Sequence, residues 1–197
     1  LRAICTKALN GADCFISVTS GTIADMVANA IVARPQASAL LVGTYTADSV
    51  QPRLLASGFV GFNLDTGRLT LSFSEAIDVA TFDTSAITLQ NSYLQGLRAD
   101  GLSKYTLAGV ASLVTATPRS TQVTIDIAAS DLNAIKSDGL ICRVQASCYV
   151  SVSSLLVKDT SGNAIVATTN AAPGVRVQTF GKDTVRPQLV QYDLDLN

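Results

Sequence analysis

The chain of 197 residues contains no histidine, no tryptophan and a single methionine. Without histidine it lacks the side chain most often used as a general base near neutral pH and as a metal ligand. Charge is scarce too: Asp, Glu, Lys and Arg make up 15% of the sequence, against roughly 25% in an ordinary soluble domain. The 14 basic and 15 acidic residues are spread along the whole length and leave a net charge of −1. That distribution offers no footprint for nucleic acid and no polybasic membrane patch. Long apolar runs are absent: residues 37–42 are typical of the longest, far short of the roughly 20 needed to cross a bilayer. No membrane insertion is expected. No Asn-x-Ser/Thr sequon occurs, because Asn91 is followed by Ser-Tyr. Any secretion signal is expected to lie outside this sequence.

What is present is apolar and small. Hydrophobic residues reach 48%, mostly Ala, Val, Leu and Ile, which supports a core and argues against disorder. Ser and Thr form roughly a fifth of the chain, a composition that suits solvent-facing strand positions and offers acceptors for O-linked glycans.

The sequence also repeats itself. Cys14-Phe15-Ile16-Ser17-Val18-Thr19-Ser20 recurs as Cys148-Tyr149-Val150-Ser151-Val152-Ser153-Ser154. Without a gap, Asp25 falls on Asp159 and Asn29-Ala30-Ile31-Val32-Ala33 on Asn163-Ala164-Ile165-Val166-Ala167. After one residue of slip, residues 44–54 match residues 179–189, which pairs Pro52 with Pro187. Upstream, Leu1-Arg2-Ala3-Ile4 resembles Leu132-Asn133-Ala134-Ile135. The period, about 134 residues, is that of a whole domain and not of a solenoid repeat. Residues 1–50 then read as the C-terminal half of one module, 51–185 as a complete module and 186–197 as the first strand of the next. Asp48-Ser49-Val50-Gln51-Pro52 and Asp183-Thr184-Val185-Arg186-Pro187 are the expected joints, stiffened by proline.

Within the complete module, residues 54–64 predict an opening strand and residues 65–67 a tight turn. Residues 68–74 alternate strictly, with Leu69, Leu71 and Phe73 on one face; residues 122–127 do the same with Val123, Ile125 and Ile127. Residues 86–90 and 105–107 predict short strands. Ser130-Asp131 followed by Leu132 and Ile135 predicts a helical turn or two. Residues 148–157 predict one long alternating strand, reversed by the turn at residues 159–163. Short strands, frequent turns and little helix predict an all-β fold of two packed sheets.

Leu71-Ser72-Phe73-Ser74-Glu75-Ala76-Ile77-Asp78, then Val123-Thr124-Ile125, then Tyr149-Val150-Ser151-Val152 leading to Lys158-Asp159-Thr160-Ser161-Gly162-Asn163, resemble the SbsA-type bacterial immunoglobulin-like domain. The resemblance covers most of residues 51–167. It implies immunoglobulin-like β-sandwich modules in tandem, as in surface-layer proteins, adhesins and other extracellular proteins. The cysteines are unusual for that family, and Ala28 stands in the first copy where Gly162 stands in the second.

Cys5 and Cys14 precede the first copy of the repeated strand, and Cys142 and Cys148 precede the second. A close pair in each copy argues for one local disulfide per module and for an oxidising compartment. The rival, a zinc site, lacks Cys-x-x-Cys spacing and any histidine. Asp65, Asp78, Asp83, Asp159 and Asn163 lie in turns; they would bind calcium only if several converged, and Asx turns and caps explain them more simply. Glu75 with Asp78 is the one pairing of carboxylates that suggests acid–base chemistry, and no second cluster accompanies it. No catalytic residue, cofactor or metal is expected.

The function expected from these features is structural: a non-catalytic, tandem-module component of an extracellular fibre or cell-surface stalk, whose partners are neighbouring copies of the module. The alternative is an adhesin that binds a glycan or protein through loops such as residues 91–104. An accessory domain of a secreted hydrolase is a third reading. The half-modules are expected to be completed within a longer chain; completion by strand exchange between subunits is the competing arrangement.

Overall fold

The computed structural model describes residue 5 and residues 12–93, 102–169 and 173–195. The chain divides into two compact units, Leu1–Val50 and Gln51–Asn197. The first carries one small antiparallel ladder, β1 (Phe15–Ile16) against β2 (Leu40–Leu41). Isolated bridges Val18 to Arg34 and Ala24 to Ala30 extend the same reversal of direction.

The second unit is mostly β-sheet. β3 (Leu54–Asn63) and β4 (Arg68–Asp78) form the expected hairpin. In its turn Asn63 Oδ1 accepts from the amides of Asp65 (2.8 Å) and Thr66 (3.1 Å). β4 pairs with β8 (Arg119–Asp126), and β8 with β7 (Ser112–Leu113). β10 (Lys158–Asp159) pairs with the far end of β4, and β12 (Thr179–Gly181) lies parallel to β3 along Gly61–Asn63. The second sheet runs in the order β11 (Val175–Arg176), β9 (Tyr149–Val152), β5 (Ile87–Gln90), β6 (Lys104–Thr106), antiparallel throughout.

Both sheets supply one hydrophobic core. Leu69, Leu71 and Phe73 of β4 and Val123 and Ile125 of β8 meet Ile87 and Leu89 of β5 and Val150 and Val152 of β9 in a single buried cluster. The period-two alternation of β4 and β8 is thus the imprint of a face turned inward. β3 departs from it through register shifts on either side of Phe59, where the pairing with β4 is irregular. Gly58 sits in that stretch, and a Cβ there would stand 2.5 Å from the carbonyl oxygen of Ser72, closer than any side chain tolerates.

Two expected elements take a different form. The helix α1 (Ala129–Asp138) has ten residues, not one or two turns, and its N-cap is Ala128, with no side-chain cap. Asp131 is turned inward instead, where its carboxylate accepts from the Tyr105 hydroxyl (2.9 Å) and from the amides of Ala108 (3.2 Å) and Gly109. The segment 148–157 is not one strand. β9 ends at Val152, Leu156 N donates to the Ser153 carbonyl (3.2 Å), and the chain then passes from the four-stranded sheet to β10 in the other. Val150 and Val152 before the break and Leu156 and Val157 after it are buried in the same core.

Residues 182–195 are in no strand and run largely exposed; a strand needs a neighbour, and none pairs with them here. Lys136 holds Asp183 (3.2 Å), and Asp65 accepts from the amide (2.8 Å) and hydroxyl (2.7 Å) of Thr184. The chain therefore comes into this unit beside Leu54 and leaves it beside Asp65. Those points stand at opposite ends of β3, whose irregular course leaves Leu54 opposite Phe73 and Asn63 opposite Arg68, about 17 Å apart along β4 at the rise of an extended strand.

Candidate functional site

The feature that repeats in sequence is a disulfide-pinned hairpin, and its two copies are built from the same hydrogen bonds. Cys5 and Cys14 are bonded with their Cα atoms 4.2 Å apart, and Cys142 and Cys148 with theirs 4.0 Å apart. The leading cysteine of each pair has a left-handed backbone, φ 60° at Cys5 and 50° at Cys142. Val42 N donates to the Cys14 carbonyl (2.8 Å), as Val177 N does to that of Cys148 (2.9 Å). Phe15 stands opposite Leu41, and Tyr149 opposite Arg176. Two intramolecular disulfides fit an oxidising environment, since reducing compartments hold such thiols apart.

The turn that follows is equally conserved in geometry. Asp25 N donates to the Asn29 carbonyl and Asp159 N to that of Asn163, both at 2.9 Å. In the first copy, Asp25 Oδ1 accepts from Val27 N (3.0 Å) and Asn29 N (2.8 Å), while Oδ2 accepts from Asn29 Nδ2 (2.8 Å). In the second, Asp159 Oδ1 accepts from Ser161 N (2.7 Å) and Asn163 N (2.8 Å), and Oδ2 from Asn163 Nδ2 (2.7 Å). Each carboxylate satisfies its own turn, which is why Asp and Asn recur four residues apart. The Asn29 amide, with help from the backbone, holds the Asp25 carboxyl below the usual carboxylate range. The residue before each Asn is left-handed: φ is 67° at Ala28 and 86° at Gly162. Ala28 carries a steric cost there that glycine would not.

The segments around Asp48 and Asp183 match as well. Asp48 Oδ1 accepts from Val50 N (3.0 Å), and Asp183 Oδ1 from Val185 N (3.1 Å). Bonds from Thr184 lower the Asp65 pKa below the usual value.

The other carboxylates singled out in the sequence are engaged locally. Asp78 caps a short 3-10 turn through Ala80 N (3.1 Å), and Asp83 caps the next through Ser85 N (2.9 Å). Asp78, Asp83 and Asp159 thus accept from backbone amides of their own turns, and Asp65 from the amide of Thr184, 119 residues further along the chain. Glu75 and Asp78 both lie on β4, near its end. Of the loop 91–104, residues 94–101 lie outside the described residues; at its base Asn91 N donates to the Ser103 carbonyl (3.1 Å) and Ser103 N to Asn91 Oδ1 (3.0 Å).

One feature of the second unit was not legible in the sequence: an open cleft of about 570 Å³, lined among others by Arg53, Tyr93, Tyr149, Thr168 and Arg176. Its two phenols and two guanidinium groups come from distant stretches of chain, so no spacing announces it. It offers flat apolar faces and hydrogen-bond donors.

No family model, curated protein or solved structure matches the chain. Among the described residues no helix is long and apolar enough to cross a membrane.

Proposed function

We propose that the chain is a stretch of an extracellular fibre or cell-surface stalk built from tandem immunoglobulin-like β-sandwich modules of the SbsA type, with a mechanical and not a catalytic role. The observation that carries this reading is the recurrence of the disulfide-pinned hairpin, its Asx turn and the Asp-to-Val bond after it one domain length apart. Selection for a reaction preserves one site; a fibre needs the same unit and the same joint again and again.

The second unit is suited to transmitting tension. Force would arrive beside Leu54 and leave beyond Gly181, and between those points β12 lies parallel to β3. Gln178 N to the Phe59 carbonyl and Leu64 N to the Gly181 carbonyl, both 2.8 Å, extend that ladder. Pulling from opposite ends loads these bonds side by side in shear, so they must break together. Disulfides suit the oxidising exterior of a cell, and the abundant Ser and Thr offer O-glycosylation sites there.

The cleft favours a second reading, an adhesin. Tyr93 and Tyr149 provide stacking faces and Arg53 and Arg176 provide donors for a glycan or a protein segment.

Immunogold labelling with antibodies raised against residues 51–185 tests the main reading. Gold at regular intervals along extracellular fibres is expected; gold confined to the cell interior overturns it. Gold only at fibre tips or at contacts between cells supports the adhesin.

A further inference from the structure

The cleft of about 570 Å³ in the second unit carries a charge pattern that the fold around it does not demand. Its volume falls within the roughly 300–1,000 Å³ of ordinary ligand clefts. Arg53 and Arg176 line it, and among the described residues no carboxylate does. Over the whole chain 14 basic residues are matched by 15 acidic ones, so two of the first with none of the second is a local departure. Both arginines are exposed, and neither guanidinium has a hydrogen bond or ion pair among the described residues. Their donors are left for a group outside the chain.

The repeat separates what the scaffold needs at these places from what it does not. Positions that build the hairpin keep their residue type: Cys142 and Cys148 answer to Cys5 and Cys14, and Asp159 and Asn163 to Asp25 and Asn29. The cleft positions do not. Arg53 stands where the next copy has Gln188, and Arg176 where the first copy has Leu41. The hairpin accepts either side chain, since Arg176 lies opposite Tyr149 as Leu41 lies opposite Phe15. The two cations are thus a property of this module and not of the scaffold.

The backbone around the cleft is already engaged. Arg53 N donates to Ser74 Oγ (2.9 Å), Gly174 N to the Tyr93 carbonyl (2.8 Å) and Val166 N to the Pro52 carbonyl (2.9 Å). A peptide strand would find little main chain to pair with, so recognition falls to side chains. Two planar guanidinium forks suit carboxylate or sulfate groups. The two phenol faces, Tyr93 52% exposed and Tyr149 half-buried, suit the apolar side of a sugar ring. We propose that this cleft binds an acidic saccharide, its anionic groups held by Arg53 and Arg176 and its rings laid against Tyr93 and Tyr149. That assignment rests on the adhesin reading and gives it a ligand class.

Isothermal titration calorimetry on the full 197-residue chain, with disulfides intact, tests this. The probes are tetragalacturonate, its methyl ester, which keeps the rings without the charge, and a sulfated tetrasaccharide. At least one of the two acidic sugars should bind at micromolar to millimolar concentration, and the tighter of them identifies the anion as carboxylate or sulfate ester. The methyl ester should bind at least about tenfold more weakly than the acid. Arg53→Gln and Arg176→Leu introduce the side-chain types that the other copies carry there, and each should weaken binding by about tenfold or more with unchanged circular dichroism. Tyr93→Ala should weaken it several-fold, whereas Tyr149→Phe keeps the ring face and should change it little. Arg143→Gln alters an exposed arginine that does not line the cleft and should leave binding intact. No binding of either acidic sugar at millimolar concentration, an ester that binds as well as the acid, or arginine variants that bind like the parent chain overturns the proposal. Gold at contacts between cells without saccharide binding sinks the ligand and leaves the adhesin reading standing; saccharide binding with gold only along fibres does the reverse.

Discussion

Residues 14–34 and residues 148–168 share most of their backbone hydrogen bonds, the same Asx turn and the same left-handed residue before its asparagine; Val18 N donates to the Arg34 carbonyl, whereas Val152 N donates to the Thr168 hydroxyl. They differ in surroundings: the second copy lies within a core of two sheets, whereas the side chains of the first are mostly exposed. Local geometry in this hairpin is therefore written locally, by the cysteine pair and the Asp-to-Asn spacing. Burial of the second copy comes from β3 and β5, about sixty to a hundred positions earlier in the chain.

The largest effect that separates the copies should come from equal truncations. Ile165→Ala, at a fully buried position, should destabilise the second unit by about 2–4 kcal/mol, while Ile31→Ala, at the matching half-buried position, should cost the monomer under about 1 kcal/mol. Urea denaturation followed by far-ultraviolet circular dichroism measures both, and equal losses would mean that the first unit is packed as well as the second.

Next come the disulfides. Replacing Cys142 and Cys148 together by alanine should lower the stability of the second unit by about 2 kcal/mol, since their bond closes a loop of only a few residues. The same change at Cys5 and Cys14 should leave the unfolding midpoint of residues 51–181 in place. Denaturation midpoints of the two double variants decide the matter.

A smaller, opposite pair of effects is expected at the turn. Gly162→Ala should cost about 1 kcal/mol, because φ is 86° there although space is open. Ala28→Gly should stabilise by about half as much, strain relief being offset by the greater freedom of glycine in the unfolded chain. Thermal melts compared with the parent chain check both signs.

The smallest effect concerns protons. The Asp25 and Asp65 carboxyls are held below the usual range by their hydrogen bonds. A lowered folded-state pKa contributes stability that is fully present above the unfolded value, about 3.9, and is lost as pH falls through the folded value. NMR titration of the side-chain carboxyls should therefore place both midpoints below about 3.9. The Thr184 amide signal should move with that of Asp65, and a normal midpoint at Asp65 would detach the joint from this carboxylate.

Much of the second unit was legible in advance, because the alternation in Leu69, Leu71, Phe73 and in Val123, Ile125, Ile127 reflects one buried face. The helix was underestimated: its apolar signal is only Leu132 and Ile135, and Asp131 reads as a cap while in the structure it binds Tyr105 and Gly109 inside. The break at Ser153 was hidden because Val150 and Val152 of β9 and Leu156 and Val157 beyond the break all enter one core, although the chain has moved from one sheet to the other. The cleft was hidden because Arg53, Tyr93, Tyr149 and Arg176 become neighbours only after folding.

By itself the sequence determined the hairpin, its disulfide and its turn, twice over, because those interactions join residues within about thirty positions of one another. Only the tertiary structure decided which copy is buried, at which ends of β3 the chain comes in and leaves, and which side chains line a cleft. Those depend on partners far apart in the chain, and pairing at long range is selected by the shape of the whole core.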